Sequence, residues 1–355
     1  MNDIKILDCT LRDGGYVNNW DFGYNNIKQI ITNLINAKID FIECGFLKSG
    51  EYEQNKSLFS NIEQLLEFLP KNQIKTKFTL MINYGEYDIE KISQNTNSNI
   101  IFRVAFKKQN HIEALRYCKE LKQKGYDIFI NPMHTNTYSS KELLDLIFQV
   151  NEIKPLAFTI VDTTGCMKEK DVLTAFYLVD SNLDKDISLC FHSHNNLQLS
   201  FANAQSILKV CKNRELIIDS TIFGMGRGAG NLDTELITQY LNDNYNGNFE
   251  IIPILKTVEE QINPIFIQIP WGYSVPYYLA ATNHCHPNYA KFLIDKQMVP
   301  IEIVDKLLQT IPESKKTIFD VNLIEQIYSD LLLKETKKAI ESYKMNCKNS
   351  QIILK

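Results

Sequence analysis

Residues 7–16 read LDCTLRDGGY, and this stretch decides the fold. It begins as the end of an apolar run that suits a strand buried on both faces. The polarity then changes abruptly at Arg12 and Asp13, and Gly14 and Gly15 favour a tight turn with positive φ. We predict a first strand that holds a guanidinium and a carboxylate at its rigid tip. Taken alone, the stretch also fits a strand that ends in a solvated turn.

The composition is that of a soluble globular protein. The chain has 355 residues, of which 44% are hydrophobic and 23% charged, and its net charge is −4. This length suits one large α/β domain with an appendage. The mild acidity gives no argument for a nucleic-acid or membrane partner. No apolar run approaches the roughly 20 residues of a membrane span, and the N-terminus does not resemble a signal peptide. We therefore expect a cytoplasmic protein.

Apolar runs recur along the chain at intervals of about 30 residues, and segments with helical spacing, such as Ile27, Ile30 and Leu34, separate them. Eight runs are predicted as strands: 4–9, 41–46, 78–82, 100–106, 128–130, 157–161, 188–191 and 217–222. Such alternation implies parallel strands with helical crossovers, and eight units in about 240 residues predict a closed (β/α)8 TIM barrel. The competing doubly wound open sheet is disfavoured because the first strand-to-helix turn lacks GxGxxG.

The pattern changes after residue 244. Helical stretches then follow one another with breaks marked by proline. We predict a catalytic barrel domain at 1–244 and a helical C-terminal extension at 245–355. Apolar residues of the extension need cover, so a homo-oligomer is expected.

A pair of histidines near the end of the seventh predicted strand is the clearest chemical signal. His192 and His194 stand at i and i+2, so both imidazoles point to the same side of a strand. An HxH pair alone is more often a surface or core feature, but strand ends of a barrel share one mouth. With Asp13 the pair makes a two-histidine, one-carboxylate site that suits Mn²⁺, Mg²⁺, Co²⁺ or Zn²⁺. The glycine-rich residues 224–231 either bring Asn231 to this site or form a flexible loop.

Other strand ends bring further polar groups to the same mouth. Glu43 lies within IECGF, and we count it with Arg12 among the catalytic candidates. Arg103, together with Asp162 and Thr163 in VDTTG, is predicted to bind substrate alongside Arg12.

Five motifs, LDCTLRDGG, IECGF, VDTTG, FHSHNN and GMGRGAGNLDTE, occur in this order between residues 4 and 241. Together they resemble the DRE-TIM metallolyase (HMGL-like) superfamily, and most of all its 4-hydroxy-2-oxovalerate aldolase branch. The resemblance implies a divalent ion, with Mn²⁺ expected first, held by Asp13, His192 and His194 with Asn231 as a possible fourth ligand. It also implies that Arg12 stabilises an enolate oxygen.

The reaction implied is cleavage or formation of a 4-hydroxy-2-oxo acid, through a metal-bound enolate of pyruvate and an aldehyde. The alternative is an acyl-CoA and 2-oxo acid condensing enzyme, similar to citramalate, homocitrate or isopropylmalate synthase. Such synthases are normally longer chains. The lyase branch carries a catalytic cysteine in its glycine-rich loop, and no cysteine lies between Cys211 and Cys285. A non-enzymatic scaffold is the third hypothesis.

The proton-transfer residue is the point at which the resemblance weakens. The aldolases place a histidine two residues after the RDG glycine, where this chain has Tyr16. Tyr16 or a metal-bound water could replace it, or the reaction differs, and His284 and His286 are further candidates. The segment WGYSVPYYLAA resembles the aldolase branch, which implies Tyr273 or Tyr277 as a catalytic tyrosine, although it fits plain packing equally well. Partnership with an aldehyde dehydrogenase does not follow, because the extension is only loosely similar.

Overall fold

The computed structural model describes residues 3–72, 74–95, 99–296 and 299–352, with the backbone alone at 338–339 and 342–352. Its strands are β1 Ile4–Asp8, β2 Phe41–Leu47, β3 Leu58–Phe59, β4 Lys77–Asn83, β5 Ile100–Phe106, β6 Ile128–Pro132, β7 Ala157–Asp162, β8 Ser188–Ser193 and β9 Leu216–Ser220. All pairings between them are parallel, and β1 pairs with both β9 and β2. The eight long strands therefore form a closed barrel, which confirms the predicted TIM barrel and excludes the open sheet.

The helices that accompany the barrel are α1 Gly15–Asn18, α2 Tyr24–Asn36, α3 Ile62–Leu66, α4 His111–Gln123, α5 Ser140–Ile153, α6 Glu169–Asn182, α7 Ser200–Val210, α8 Thr234–Tyr245, α9 Ile251–Thr257 and α10 Asn263–Gln268. In two connections the described residues contain no full-length helix. Helix α3 has five residues, and β4 and β5 are joined through a 3-10 turn at Ile89–Lys91. The second connection is mostly polar, so it offers no apolar stripe for a longer helix to bury.

Side chains from several strands fill the centre of the barrel. Leu7, Phe41, Phe129 and Ile217 belong to this inner cluster, in which the rings of Phe41 and Phe129 lie 5.7 Å apart. A larger apolar cluster joins the outer face of the strands to the helices. The interior is thus a packed core, and polar groups gather above it at the carboxyl ends of the strands.

The tip of β1 is not the tight turn that the glycines predict. Residues 10–14 form a π-helical turn, and Gly14 and Gly15 have φ of −58° and −57°. The prediction of positive φ is therefore wrong. Gly15 instead leaves room for the side chain of Trp20, because a Cβ on residue 15 would lie 2.0 Å from Cδ1 of that indole. The indole of Trp20 in turn donates a hydrogen bond of 2.7 Å to the carbonyl oxygen of Arg12.

We expect Gly15→Ala to lower the free energy of unfolding by about 1–3 kcal/mol, because the added methyl group displaces the indole of Trp20. Urea unfolding followed by circular dichroism measures the change. Alanine favours a helix over glycine by about 1 kcal/mol, so propensity alone predicts the opposite sign. An unchanged or higher stability would show that the space beside Trp20 is not what requires the glycine.

The chain divides into two compact units, residues 1–273 and 274–355. Helices α9 and α10 thus fall in the barrel unit, beyond residue 244, where the sequence changes character. The second unit contains α11 Val275–Thr282, α12 Pro287–Asp295, α13 Ile301–Thr310, α14 Glu313–Lys316 and α15 Val321–Ile352. Its core includes Tyr289, whose hydroxyl donates to carbonyl oxygens of Lys315 and Ile318. Among the described residues, no helix has both the length and the apolar character to cross a bilayer.

Candidate active site

The π-helical turn after β1 carries a buried arginine and a buried aspartate. The amide groups of Arg12 and Asp13 both donate to the carbonyl oxygen of Cys9, at 3.1 and 2.8 Å. Arg12 Nη1 lies 3.2 Å from Asp13 Oδ1, and both side chains are almost completely buried. The tip of β1 therefore holds two opposite charges in fixed positions.

The structure brings Asp13 together with the two histidines. Asp13 Oδ2 lies 3.1 Å from His192 Nε2 and 3.6 Å from His194 Nε2. One potential ligand atom from each of the three residues lies within 4.8 Å of the others. The rings of His192 and His194 are perpendicular, with centroids 5.2 Å apart. Two imidazoles and one carboxylate at these distances are a possible ligand group for a divalent cation.

The ionisation of this group suits a cation. Burial lowers the pKa of His194 to about 3, so its imidazole is neutral and keeps a lone pair. Burial opposes the charge of Asp13, but Arg12 and the two histidines outweigh it and hold the pKa of Asp13 well below its usual range. Burial also opposes protonation of His192, yet its contacts with Asp13 and Asp219 raise its pKa. A bound cation would take the place of the proton on His192 and would supply the positive charge that Asp13 and Asp219 attract.

Asn231, the predicted fourth ligand, is paired through its backbone with His194. It forms an antiparallel bridge with His194, and its Nδ2 donates 3.1 Å to the carbonyl oxygen of Met225. Its Oδ1 is buried and accepts no hydrogen bond from the described residues. A buried amide oxygen of this kind is costly unless something binds it. The donor set thus fits a hard or borderline divalent ion.

The glycine-rich loop that carries Asn231 is folded tightly against the histidine motif. Gly230 has φ +86°, and a Cβ there would lie 2.0 Å from the carbonyl oxygen of Gly224. Asn195 donates its amide to the carbonyl oxygen of Gly230, and Asn196 Oδ1 accepts from the amide of Ala229, both at 2.8 Å. The two motifs are therefore one packed unit, and the loop has a defined conformation.

Asp219 on β9 is a site residue that sequence reasoning missed. Its Oδ2 lies 3.0 Å from His192 Nδ1, on the opposite side of the ring from Asp13. Burial opposes its charge, but Arg103 and His192 lower the pKa of Asp219 to about 2. A carboxylate on Nδ1 fixes the imidazole so that Nε2 faces the ligand group. Its local signal is weak, being one aspartate at the end of the apolar run LIID.

Buried ion pairs connect the two sides of the barrel mouth. Glu43 Oε2 accepts from Arg12 Nε at 2.6 Å and from Arg103 Nη1 at 3.1 Å. Arg103 Nη2 in turn donates to Asp219 Oδ2. Burial opposes the charge of Arg103, but Asp219 and Glu43 raise its pKa further above its usual value. This chain of alternating charges positions Arg12 at one end and His192 at the other.

A small cavity of ≈ 70 Å³ lies next to these groups. Of the predicted residues, it is lined by Arg12, Asp13, Tyr16, Thr163, His192 and His194. The remaining lining residues are Phe46, Met81, Asn83, Ala105, Asn131, Met133, Val161 and Arg227. The cavity thus combines charged and polar side chains with apolar ones such as Phe46, Met81 and Val161, as small-molecule sites commonly do.

Some predicted residues lie away from this cavity. Both oxygens of the buried Asp162 accept from backbone amides of Cys166 and Met167, each at 3.0 Å, so this carboxylate shapes its own loop. Glu43 and Arg103 are buried behind the lining residues of the described structure. The side chain of Tyr273 is 57% exposed.

The other tyrosine and histidine candidates, Tyr277, His284 and His286, belong to the second compact unit. Tyr277 packs there against the apolar core of that unit. Burial, and to a smaller extent Asp295, raise the pKa of Tyr277.

A TIM barrel with a two-histidine, one-carboxylate group at its strand ends defines a class of metal-site barrels. The chain belongs to the HMGL-like family, whose model matches residues 3–257. It is 26% identical to a 4-hydroxy-2-oxovalerate aldolase of Pseudoalteromonas translucida, over 75% of this chain and 77% of that protein. A 4-hydroxy-2-oxovalerate aldolase of Geobacillus genomosp. 3 is 24% identical over 74% of this chain and 77% of its own.

Solved structures agree with this assignment. The N-terminal domain of a proposed aldolase from Bacteroides vulgatus superposes with a TM-score of 0.68 at 27% identity, covering 82% of this chain and 96% of that one. The carboxyl transferase domain of Rhizobium etli pyruvate carboxylase superposes with a TM-score of 0.67 at 12% identity, which shows a shared fold alone. That match covers 94% of this chain and 61% of the other.

Proposed function

We propose that this protein is a divalent-metal-dependent aldolase that cleaves or forms a 4-hydroxy-2-oxo acid, with pyruvate and an aldehyde as the two halves. The observation that carries the proposal is the approach of Asp13 to His192 and His194 beside Arg12, at the edge of one cavity. Relatives named 4-hydroxy-2-oxovalerate aldolase support the same reaction. They do not favour the acyl-CoA condensing alternative.

Asp13, His192, His194 and Asn231 would hold the ion, with Mn²⁺ the expected metal. A bound divalent ion supplies Lewis acidity, which draws electrons from a 2-oxo group. Arg12 is held by Glu43, and its remaining N–H groups can stabilise negative charge that develops on the 2-oxo oxygen.

Cleavage also requires proton transfer. A base accepts the proton of the 4-hydroxyl group, the bond between C3 and C4 breaks, and an aldehyde leaves. The remaining enolate of pyruvate takes up a proton at C3. We assign the transfer of the 4-hydroxyl proton to Tyr16, because it lines the cavity next to Arg12. The Tyr16 hydroxyl would act as a relay, which takes up the substrate proton while it passes its own proton to a water molecule. Thr163 and Asn131 line the same cavity and can donate or accept hydrogen bonds with the substrate.

Enolate formation is the step to test. With Mn²⁺ in D₂O, we expect the wild-type protein to exchange the methyl protons of pyruvate, and Asp13→Asn to lose at least 100-fold of this rate because the ligand group loses its charge. Proton NMR follows the methyl signal. Asp145→Asn, at an exposed position on α5, is the matched control and should exchange normally. Equal exchange in wild type and Asp13→Asn would overturn the proposal.

A further inference from the structure

Arg227 lines the cavity together with the metal-ligand group, and the motifs do not explain it. It lies in the middle of the glycine-rich loop, and its Cζ is 3.9 Å from the centroid of the Tyr16 ring. Asp13, His192 and His194 line the same small cavity, so the charge of Arg227 lies close to the ligand group. A cation at this place acts on whatever occupies the cavity.

The ring below Arg227 is firmly supported. Tyr16 packs edge-on against Trp20 at 4.8 Å and against Phe46 at 6.2 Å, and Trp20 and Phe46 are 5.6 Å apart. Since the Trp20 indole is also hydrogen-bonded to the backbone of Arg12, the platform belongs to the β1 tip. Arg227 therefore rests on a rigid surface, and little side-chain freedom remains to be lost when a ligand binds.

The loop fixes Arg227 from the other side. Gly226 and Gly230 allow close packing, since a Cβ on Gly226 would lie 2.2 Å from Asn231 Nδ2. The carbonyl oxygen of Arg227 accepts a 3.2 Å hydrogen bond from the amide of Gly230. A stack on an aromatic ring is compatible with bidentate binding of an oxyanion, because the guanidinium has five N–H donors around its edge.

The two arginines of the cavity have different surroundings. Arg12 lies between Glu43 and Asp13, next to the group that would bind the 2-oxo acid end of the substrate. Arg227 lies over Tyr16, the residue to which we assign transfer of the proton of the 4-hydroxyl group on C4. The part of a substrate that lies beyond C4 thus comes close to Arg227. The cavity is only a few times larger than the ≈ 10–15 Å³ that one water needs, which favours a short substrate.

We propose that Arg227 binds an anionic group on the aldehyde half of the substrate, so that the full substrate is a short dianionic oxo acid. This specificity rests on the proposed aldolase function and adds to it the class of aldehyde. The anionic group is an oxyanion, either a carboxylate or a phosphate, and the short cavity favours the carboxylate.

Binding of unreactive analogues tests the proposal directly. Isothermal titration calorimetry with Mn²⁺ present compares 2-oxopentanoate with 2-oxoglutarate, which differ only in the terminal carboxylate. We expect wild type to bind 2-oxoglutarate about 10-fold more tightly, the effect of one charge-assisted contact. Arg227→Gln should reduce the ratio to less than twofold, whereas Arg227→Lys keeps part of it. Arg116→Gln, exposed on α4, is the matched control and should keep the wild-type ratio.

Each possible binding result either supports the proposal or overturns it. Tighter binding of 2-oxo-4-phosphonobutanoate than of 2-oxoglutarate, again dependent on Arg227, would support the oxyanion site and identify a phosphate. Equal binding of the mono- and dicarboxylate by wild type would overturn the proposal, and so would a preference that Arg227→Gln retains. Circular dichroism and thermal unfolding establish that each variant is folded. Exchange of pyruvate protons by wild type is measured separately. Failure of that exchange would contradict the aldolase function, whereas failure of the analogue-binding test alone would contradict only the role of Arg227.

Discussion

Glu43→Gln is expected to lower the free energy of unfolding by about 3–5 kcal/mol, because it leaves two buried guanidinium groups without their shared carboxylate. Oε2 of Glu43 accepts from Arg12 at 2.6 Å and from Arg103 at 3.1 Å, and Glu43 and Arg103 are completely buried. A glutamine side chain presents at best a neutral acceptor at this position. Urea unfolding followed by circular dichroism and fluorescence gives the free energy.

The same substitution at an exposed ion pair provides the control. Glu86 Oε2 lies 3.2 Å from Lys48 Nζ, and both side chains are about half exposed. Glu86→Gln is expected to change stability by only about 0–1 kcal/mol, since water screens the pair and replaces it. Similar small losses for both variants would mean that the buried charges relax, and that Glu43 does not hold Arg12 in place.

The fold was largely predictable from local sequence. Period and length of the apolar runs indicate eight strands, and the strand-to-helix alternation requires parallel pairing. Closure is confirmed by the pairing of β1 with β9 and β2. The strand-end rule also explains why Asp13 can lie near His192 although the two are far apart in sequence. What local sequence does not show is how long each connection remains helical, as in the polar segment between β4 and β5.

The errors and omissions have a common physical cause, which is side-chain packing that the type of a single residue does not reveal. Gly15 belongs to a Gly-Gly pair of the kind found in turns, yet glycine is needed there because the indole of Trp20 packs against it. Asp219 resembles any aspartate at the end of a strand until His192 and Arg103 are placed beside it. Arg227 stands in a loop whose glycines attract attention, and only the packing on Tyr16 distinguishes it.

Asp219→Asn is expected to weaken Mn²⁺ binding by about 10–100-fold, the typical cost of losing a carboxylate that orients a metal-binding histidine. His192 Nδ1 lies 3.0 Å from Asp219 Oδ2, while its Nε2 faces Asp13. The asparagine can turn its amide nitrogen towards the ring, which would favour the proton on the wrong imidazole nitrogen. Isothermal titration calorimetry with Mn²⁺ measures the affinity, and pyruvate proton exchange should fall in parallel at limiting metal.

Asp180→Asn distinguishes this effect from general loss of a partly buried ion pair. Asp180 Oδ1 accepts from Arg214 Nε at 2.8 Å, and neither residue lines the described cavity. Its replacement should reduce stability and leave Mn²⁺ affinity within about twofold of wild type, because His192 keeps its orientation. If both variants weakened Mn²⁺ binding equally, Asp219 would act through the stability of the barrel. Weaker Mn²⁺ binding in Asp219→Asn alone would mean that the Asp219 carboxylate acts by orienting the imidazole of His192.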